Sequence, residues 1–384
     1  MSKKIIYWVN LNRFDMQPDK STYMEMAKFL NQDGFYVHIL TGYKQNKYNS
    51  KSTLFSINYF RSLDIGCIFR LTLLLNIMLW LLINSSRDNI YLLHPNAMFI
   101  APLLKIFGRN NIHLDIRTLP VDIHSLKEKF DYLIYWVFPI TFFGKMAKSY
   151  SFITDLLREE VENEFNNKYS PYVIWESGVN TDLFTKELTN LPISNKFNIF
   201  YHGSITENRG ISRVVDAMKC LPISYKKQMC FVIVGDGSGL NYIRNLVSQE
   251  SMSEYIEIKG MIAYENIPRE IAMADCCICP LPDRLEWNVS SPLKVFEYMA
   301  SSKPIILTPI PAHKNVLANQ KFILWTDGDS VEDYVNAIKK AFDNRQFLEK
   351  EAKIAPDIVR KKYDWLCQGK KFADHLHTYY REMT

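Results

Sequence analysis

Strand-like and helix-like runs alternate from one end of this chain to the other, and that alternation excludes most architectures. A short apolar run followed by an amphipathic stretch, repeated many times, builds parallel sheets with helices on both faces. Residues 5–11 read as the first buried strand. Residues 21–32 read as a helix with Met24, Ala27, Phe29 and Leu30 inward, stopped by Asp33-Gly34, and residues 36–41 as the second strand. Further strands are expected near 54–60, 89–94, 112–118 and 172–176, with a helix over 126–147, before a new series begins at 195–204. At 384 residues the chain can form two domains of roughly 180 residues, each with its own core. The expected division is 1–180, 181–356, and terminal helices 357–384, with Trp365, Phe372, Leu376 and Tyr379, crossing back to brace the first domain.

Composition narrows the function. A net charge of +5 is too mild to argue for nucleic acid, and seven cysteines without disulfide or zinc spacing suit a reducing, cytoplasmic setting. Cys276, Cys277 and Cys279 read as part of a buried strand. The first apolar run is too short for a secretory signal. Residues 65–83 approach the length of a membrane span, but Arg70, Thr72 and Asn76 interrupt them and strands flank them, so the expectation is a helix packed inside an α/β domain. Two features would suit peripheral contact with the inner face of a membrane. One is the basic loop with Lys44, Lys47 and Lys51, which equally fits a solvated connection. The other is the aromatic run 132–143, which equally fits a core helix.

The most informative stretch is residues 290–304, SSPLKVFEYMASSKP. Ser291 is placed to cap a helix and Pro292 to occupy its first position, leaving amides and the positive dipole end free for an anion. Lys294 and Glu297, three apart, share one face about 4.5 Å of rise from each other. A cation near a phosphate and a carboxylate one turn deeper form a layout for a nucleotide diphosphate, the carboxylate accepting from a ribose diol. A surface Lys/Glu pair on an ordinary amphipathic helix is the plainer alternative. With the strand after it, SPLKVFEYMASSKPII resembles the nucleotide-binding helix of GT-B glycosyltransferases, especially the retaining family four. ESGVNTDLF at 176–184 is similar to that family's crossing between domains, GSITENRGIS to its phosphate-side loop, and CFVIVGDGSG to its glycine turn.

That resemblance implies two Rossmann-like, doubly wound parallel-sheet domains facing a central cleft. It implies a sugar transferred from a nucleotide-diphosphate donor, UDP- or GDP-linked, to a glycan or lipid-linked acceptor held by the first domain. Arg209 and Lys294 would stabilise the leaving diphosphate without a metal. Gly203, Ser204 and Gly235 would line the phosphates, with Ser290 and Ser291 orienting them. Met261 and Ile262 would lie by the base and Glu297 would anchor the ribose, with the polar loop 283–291 as a lid on the donor sugar. The chain departs from the family in three places: its first loop has no glycine pair, Ser204 replaces an arginine, and Val289 replaces a second glutamate. Arg13 or Lys20 is the candidate to replace the first-loop contact.

On the acceptor side, DIRTLPVDIH places Asp115, Arg117, Asp122 and His124 at or beyond a strand's carboxyl end. Asp122 and His124 are the expected catalytic or positioning pair, supported by Asp115 and Arg117; alternatively the last two form a buried pair and His124 packs on the next helix. The Asp-x-Asp at 327–329 reads as a helix cap, and no metal or separate cofactor is expected. A nucleotide-sugar epimerase of the same fold and a non-catalytic nucleotide-sugar-binding partner remain as alternatives.

Overall fold

Strands covered on both faces are mostly apolar, and the short runs read from the sequence are largely buried, with His113, Asp115, Ser149 and Ser151 as buried polar exceptions. The computed structural model describes residues 3–14, 20–43, 50–63, 68–121, 123, 125–185, 191, 194–249 and 252–380. Within them lie fourteen strands: β1 (Lys4–Arg13), β2 (Phe35–Gly42), β3 (Ser50–Lys51), β4 (Phe55–Phe60), β5 (Ile90–Leu93), β6 (Ile112–Ile116), β7 (Ser149–Phe152), β8 (Tyr172–Ile174), β9 (Phe197–His202), β10 (Met229–Val234), β11 (Ile256–Gly260), β12 (Cys276–Cys279), β13 (Ile305–Leu307) and β14 (Ile323–Trp325).

They form two sheets. The first has the order β3-β4-β2-β1-β5-β6-β7-β8 and is parallel except for the β3/β4 pair; the second has the order β11-β10-β9-β12-β13-β14 and is parallel throughout. In each, the first strand has neighbours reached in opposite directions: β1 lies between β2 and β5, and β9 between β10 and β12. The crevice outside the carboxyl ends of such a pair is where doubly wound sheets bind ligands. The fold is GT-B, two Rossmann-like domains in one chain.

The chain divides into a first domain, Met1–Ser177 with Trp365–Thr384, and a second, Gly178–Asp364. The returning segment is therefore shorter than the expected 357–384. The helix Ala355–Lys362 stays with the second domain because Val359 is buried in its core and Tyr363, just beyond, stacks on Phe296 with ring centroids 4.0 Å apart. The helix Trp365–Tyr379 packs on the helix Lys20–Gln32, and its Trp365, Phe372 and Leu376 join Trp8 and Trp175 in the first core. Gly369 permits that approach, since a Cβ there would sit 2.6 Å from the Phe29 Cβ.

Two helices differ from expectation. The expected helix 126–147 is broken into Leu126–Tyr132, a π turn at Leu133–Val137 and Phe138–Phe143. Pro139 has no N–H to donate to the preceding turn, and the wider turn before it absorbs the slip. The helix Ile68–Asn84 buries Phe69, Leu73, Ile77 and Leu81, but leaves Leu71, Leu75, Leu79 and Ile83 exposed. It is packed on one side only. No helix among the described residues is long and apolar enough to cross a membrane.

Candidate functional site

The second domain assembles its site at the carboxyl ends of β9, β10 and β11. The β9 and β10 exits are stacked by backbone bonds: the amides of Gly203, Ile205 and Gly239 donate to the carbonyls of Val234, Asp236 and Ile205. Gly235, at φ +147°, is needed there because a Cβ would lie 1.9 Å from the Gly203 oxygen. The glycine turn read from the sequence thus brings two loops into contact.

Lys294 enters this junction from the helix Leu293–Ala300. Its Nζ donates to the Tyr201 hydroxyl (3.0 Å) and lies 4.2 Å from that ring's centroid, while Tyr201 donates to the Ser204 carbonyl (2.8 Å). A Cβ on Gly203 would be 3.0 Å from the same ammonium, so the lysine lies directly against the loop. One turn on, Glu297 is 1% exposed. Its Oε1 accepts from the Tyr264 hydroxyl (2.9 Å), and its Oε2 stands 3.0 Å from Nε2 of His202, the last residue of β9. The shared face expected for Lys294 and Glu297 points at the end of β9. An ionised carboxylate has about four acceptor positions, so two protein partners leave capacity for further donors.

Arg209 stacks on Trp287, with the guanidinium carbon 4.6 Å from the ring centroid, and the Trp287 indole donates to the Asn208 carbonyl (3.0 Å). The stretch expected as a donor-sugar lid is a one-turn helix, Leu285–Asn288, whose buried tryptophan props the arginine turn. Gly210 ends that turn at φ +74°, where a Cβ would lie 2.0 Å from the Pro280 oxygen after β12. Lys294 and Arg209 each oppose, electrostatically, the upward shift that burial imposes on the Cys279 thiol. The Lys294 charge also adds to the burial that holds the His313 imidazole down near pKa 4, so that group is neutral at neutral pH.

The helix start differs from its sequence reading. Pro292, not Ser291, is the cap, at φ −84° and ψ 73°, with no side-chain cap bond. Its carbonyl takes the first helical bonds, from Val295 and Phe296, so Leu293 becomes the first helical residue. Ser290 donates its hydroxyl to the Trp287 carbonyl (2.8 Å), and Ser291 is half-buried beside it. Beyond β11, Met261 is 78% exposed and Ile262 half-buried. His202, Tyr201 and Tyr264 escaped the sequence reading. The available signal was the Tyr-His pair just before Gly203, which alternation sends to opposite faces at a strand's end.

The acceptor-side candidates are more scattered. Asp115 is buried and accepts from Ser151 of β7 (2.6 Å). Arg117 is buried over the Trp175 ring, 3.2 Å from its centroid, and donates to the Trp175 carbonyl. Arg13 lies 4.4 Å over Phe69. Asp122 and His124 are outside the described residues. At the crevice between β1 and β5 stands a set the sequence reading passed over. Asn96 Nδ2 donates to Asn10 (3.4 Å) and Asn12 (3.3 Å), and its oxygen accepts the Leu11 amide (3.2 Å). Asn10 donates to Tyr23 (3.0 Å), and His94 at the end of β5 accepts the Asn96 amide (3.4 Å). Desolvation lowers the His94 pKa to about 4, with Arg70 adding to the effect, so its imidazole is neutral at neutral pH.

Residues 185–357 match the family model described as glycosyl transferases group 1. No curated protein sequence matches the chain. Among solved structures, sucrose-phosphate synthase from Thermosynechococcus elongatus superposes with a TM-score of 0.78 at 14% identity, over 98% of this chain and 99% of that one. A glycosyltransferase from Rickettsia africae gives 0.74 at 16% identity over 100% of both chains. Anabaena HepE in complex with UDP-glucose gives 0.74 at 13% identity, over 97% of this chain and 99% of that one.

Proposed function

We propose, for a chain whose second domain is a glycosyl transferases group 1 domain on a GT-B fold, that it transfers a sugar from a nucleotide-diphosphate donor. The observation that carries this reading is the convergence of Lys294, Arg209 and Glu297 on the glycine-stacked exits of β9 and β10. Two fixed cations meet the charge that develops on a departing diphosphate, which makes the transfer metal-independent. Lys294, already held by Tyr201, needs little reorganisation to do so. Glu297 accepts from the ribose diol, with Tyr264 sharing or yielding its oxygen. UDP is the first nucleotide to test, since Anabaena HepE and this chain share the fold and the former is seen with UDP-glucose. The acceptor is a glycan precursor, in the lipid-linked form presented at a membrane's inner face, and transfer retains the anomeric configuration.

Calorimetry with UDP and GDP tests the site. Lys294→Ala and Glu297→Ala should each weaken nucleotide binding by about 1–3 kcal/mol, the range for a hydrogen bond to a charged group, while circular dichroism stays that of the parent. Binding as tight as the parent's in both variants would show that the helix face is structural and the donor site lies elsewhere. An epimerase is separated in the same preparation, because it would convert the free nucleotide sugar with no acceptor present.

A further inference from the structure

The helix Ile68–Asn84 is apolar on the side that packs and on the side that does not. Leu71, Leu75, Leu79 and Ile83 recur every fourth residue on the outer side, a stripe about 18 Å long, and all are exposed. Its interrupting polar residues do not break that stripe. Asn76 donates to the Arg61 carbonyl (2.8 Å), while Thr72 donates back to the Ile68 carbonyl (3.0 Å) and accepts the Leu63 amide (3.1 Å). Both are satisfied by local backbone. The one charged side chain of the helix, Arg70, turns to the neighbouring helix Leu126–Tyr132 and the π turn after it. There it lies 3.5 Å from Asp131 and 4.5 Å over Tyr135. That neighbour also exposes an apolar stripe, with Phe130 and Leu133. A helix apolar all round belongs inside a core or against lipid, and half of this one is outside the core.

Charge selects the occupant. The first domain, Met1–Ser177 with Trp365–Thr384, holds 23 Lys and Arg against 18 Asp and Glu, a net +5, whereas the second domain holds 23 against 23 and is neutral. Of these cations, Lys127 and Lys129 are exposed beside Phe130, and Arg61 is exposed in the segment that bonds Asn76. An apolar stripe within a positively charged domain fits an anionic bilayer surface, where leucines enter the acyl boundary and cations stay among the headgroups. We infer that the helix Ile68–Asn84, with the adjoining face around Phe130 and Leu133, is the surface by which this chain lies on an anionic membrane. The inference rests on the proposed lipid-linked acceptor and assigns the contact to a helix whose sequence reads as core.

Flotation with phosphatidylcholine vesicles, with and without phosphatidylglycerol, tests it on the full chain. The parent should float with the anionic vesicles and less so at high salt. Leu75→Glu/Leu79→Glu should lower that partition roughly tenfold or more, because two carboxylates replace the centre of the stripe. Tyr242→Glu, an equally exposed site in the second domain, should float as the parent does. UDP affinity measured on every protein should be unchanged, and its loss in the parent would count against the proposed donor site, not this surface. If the Leu75/Leu79 variant floats like the parent, the membrane contact is elsewhere. If the parent does not float and the variant instead dissociates a dimer, the stripe's occupant is a second copy. A monomeric parent that ignores both vesicles would also overturn the inference.

Discussion

The two crevices where the sheets change direction are built alike and lined differently. Between β9 and its neighbours stand an ammonium, a guanidinium and a buried carboxylate, against loops that only glycine can bring together. Between β1 and β5 stand three carboxamides, a tyrosine hydroxyl and an imidazole kept neutral. Charge suits a site that must hold a diphosphate, and groups that both donate and accept suit one that must hold sugar hydroxyls. In the proposed reading, the same topology would serve two tasks through different side-chain chemistry.

The largest expected effect falls on the charged crevice. Gly235→Ala places a methyl group 1.9 Å from the Gly203 oxygen and forces a non-glycine residue to φ +147°. Overpacking and backbone strain should together cost on the order of 3 kcal/mol and separate the β9 and β10 exits. Chemical denaturation monitored by tryptophan fluorescence would measure the loss. A variant as stable as the parent that binds UDP normally would mean the junction can relax, and that glycine is not what holds the phosphate side in shape.

Acid should distinguish the two domains next. Burial lowers the pKa of His94 and His375 to about 4 and that of His113 well below its ordinary value, all in the first domain, whereas an unfolded histidine titrates near 6.5. Because the unfolded chain binds these protons first, the stability they represent is complete above about pH 6.5. It is lost progressively as pH falls toward 4. The His94 shift alone should remove about 2 kcal/mol between pH 7 and 5, His375 and His113 act in the same direction, and the net positive charge of the first domain adds repulsion. The second domain has His313 shifted the same way, but burial raises the Asp275 pKa, and a carboxyl easier to protonate when folded opposes acid unfolding. Hydrogen exchange between pH 7 and 5 should show β5, β6 and β7 losing protection before β9, β10 and β12. The reverse order would mean that these histidines are already accessible in the folded domain.

Much of the geometry around Lys294 and Glu297 was legible because helical spacing and glycine turns are local. Lys294 and Glu297 three apart define a face, and the turn at Gly235 needs no distant partner to be recognised. What was hidden depended on strand register. His202 reaches Glu297 across 95 positions, and Tyr264 reaches it across 33, only because β9 and β11 end where the helix begins. The capping of that helix was misread because Ser-Pro fits two adjacent registers, and proline's own ψ chose the later one. The helix Ile68–Asn84 was read as core because its leucines are continuous. Hydrophobicity shows that a helix avoids water, not which of its sides finds protein. Likewise Asn10, Asn12 and Asn96 look like turn residues in sequence, and become a cluster only when β5 is laid beside β1.

The smallest expected effect tests whether that cluster or the loop after β6 serves the acceptor. Asn96 is buried, and its side chain ties the ends of β1 and β5 through Asn10, Asn12 and the Leu11 amide. Asn96→Ala leaves that amide without its acceptor, which should cost about 1–2 kcal/mol of stability. Asn96→Asp restores an acceptor to Leu11 but cannot donate to Asn10 and Asn12, so it should recover part of the stability without the donor half of the network. Both variants lie in the first domain and should leave UDP affinity at the parent's value while lowering turnover several-fold. Asp122→Asn and His124→Ala provide the comparison, since the sequence places them beyond the strand that neighbours β5. If turnover falls in those two and stays at the parent's value in Asn96→Asp, the acceptor is held after β6 and the carboxamides only join two strands. If the carboxamide variants fall alone, neutral groups at the change of direction hold the acceptor, the counterpart of the charged donor site proposed in the second domain.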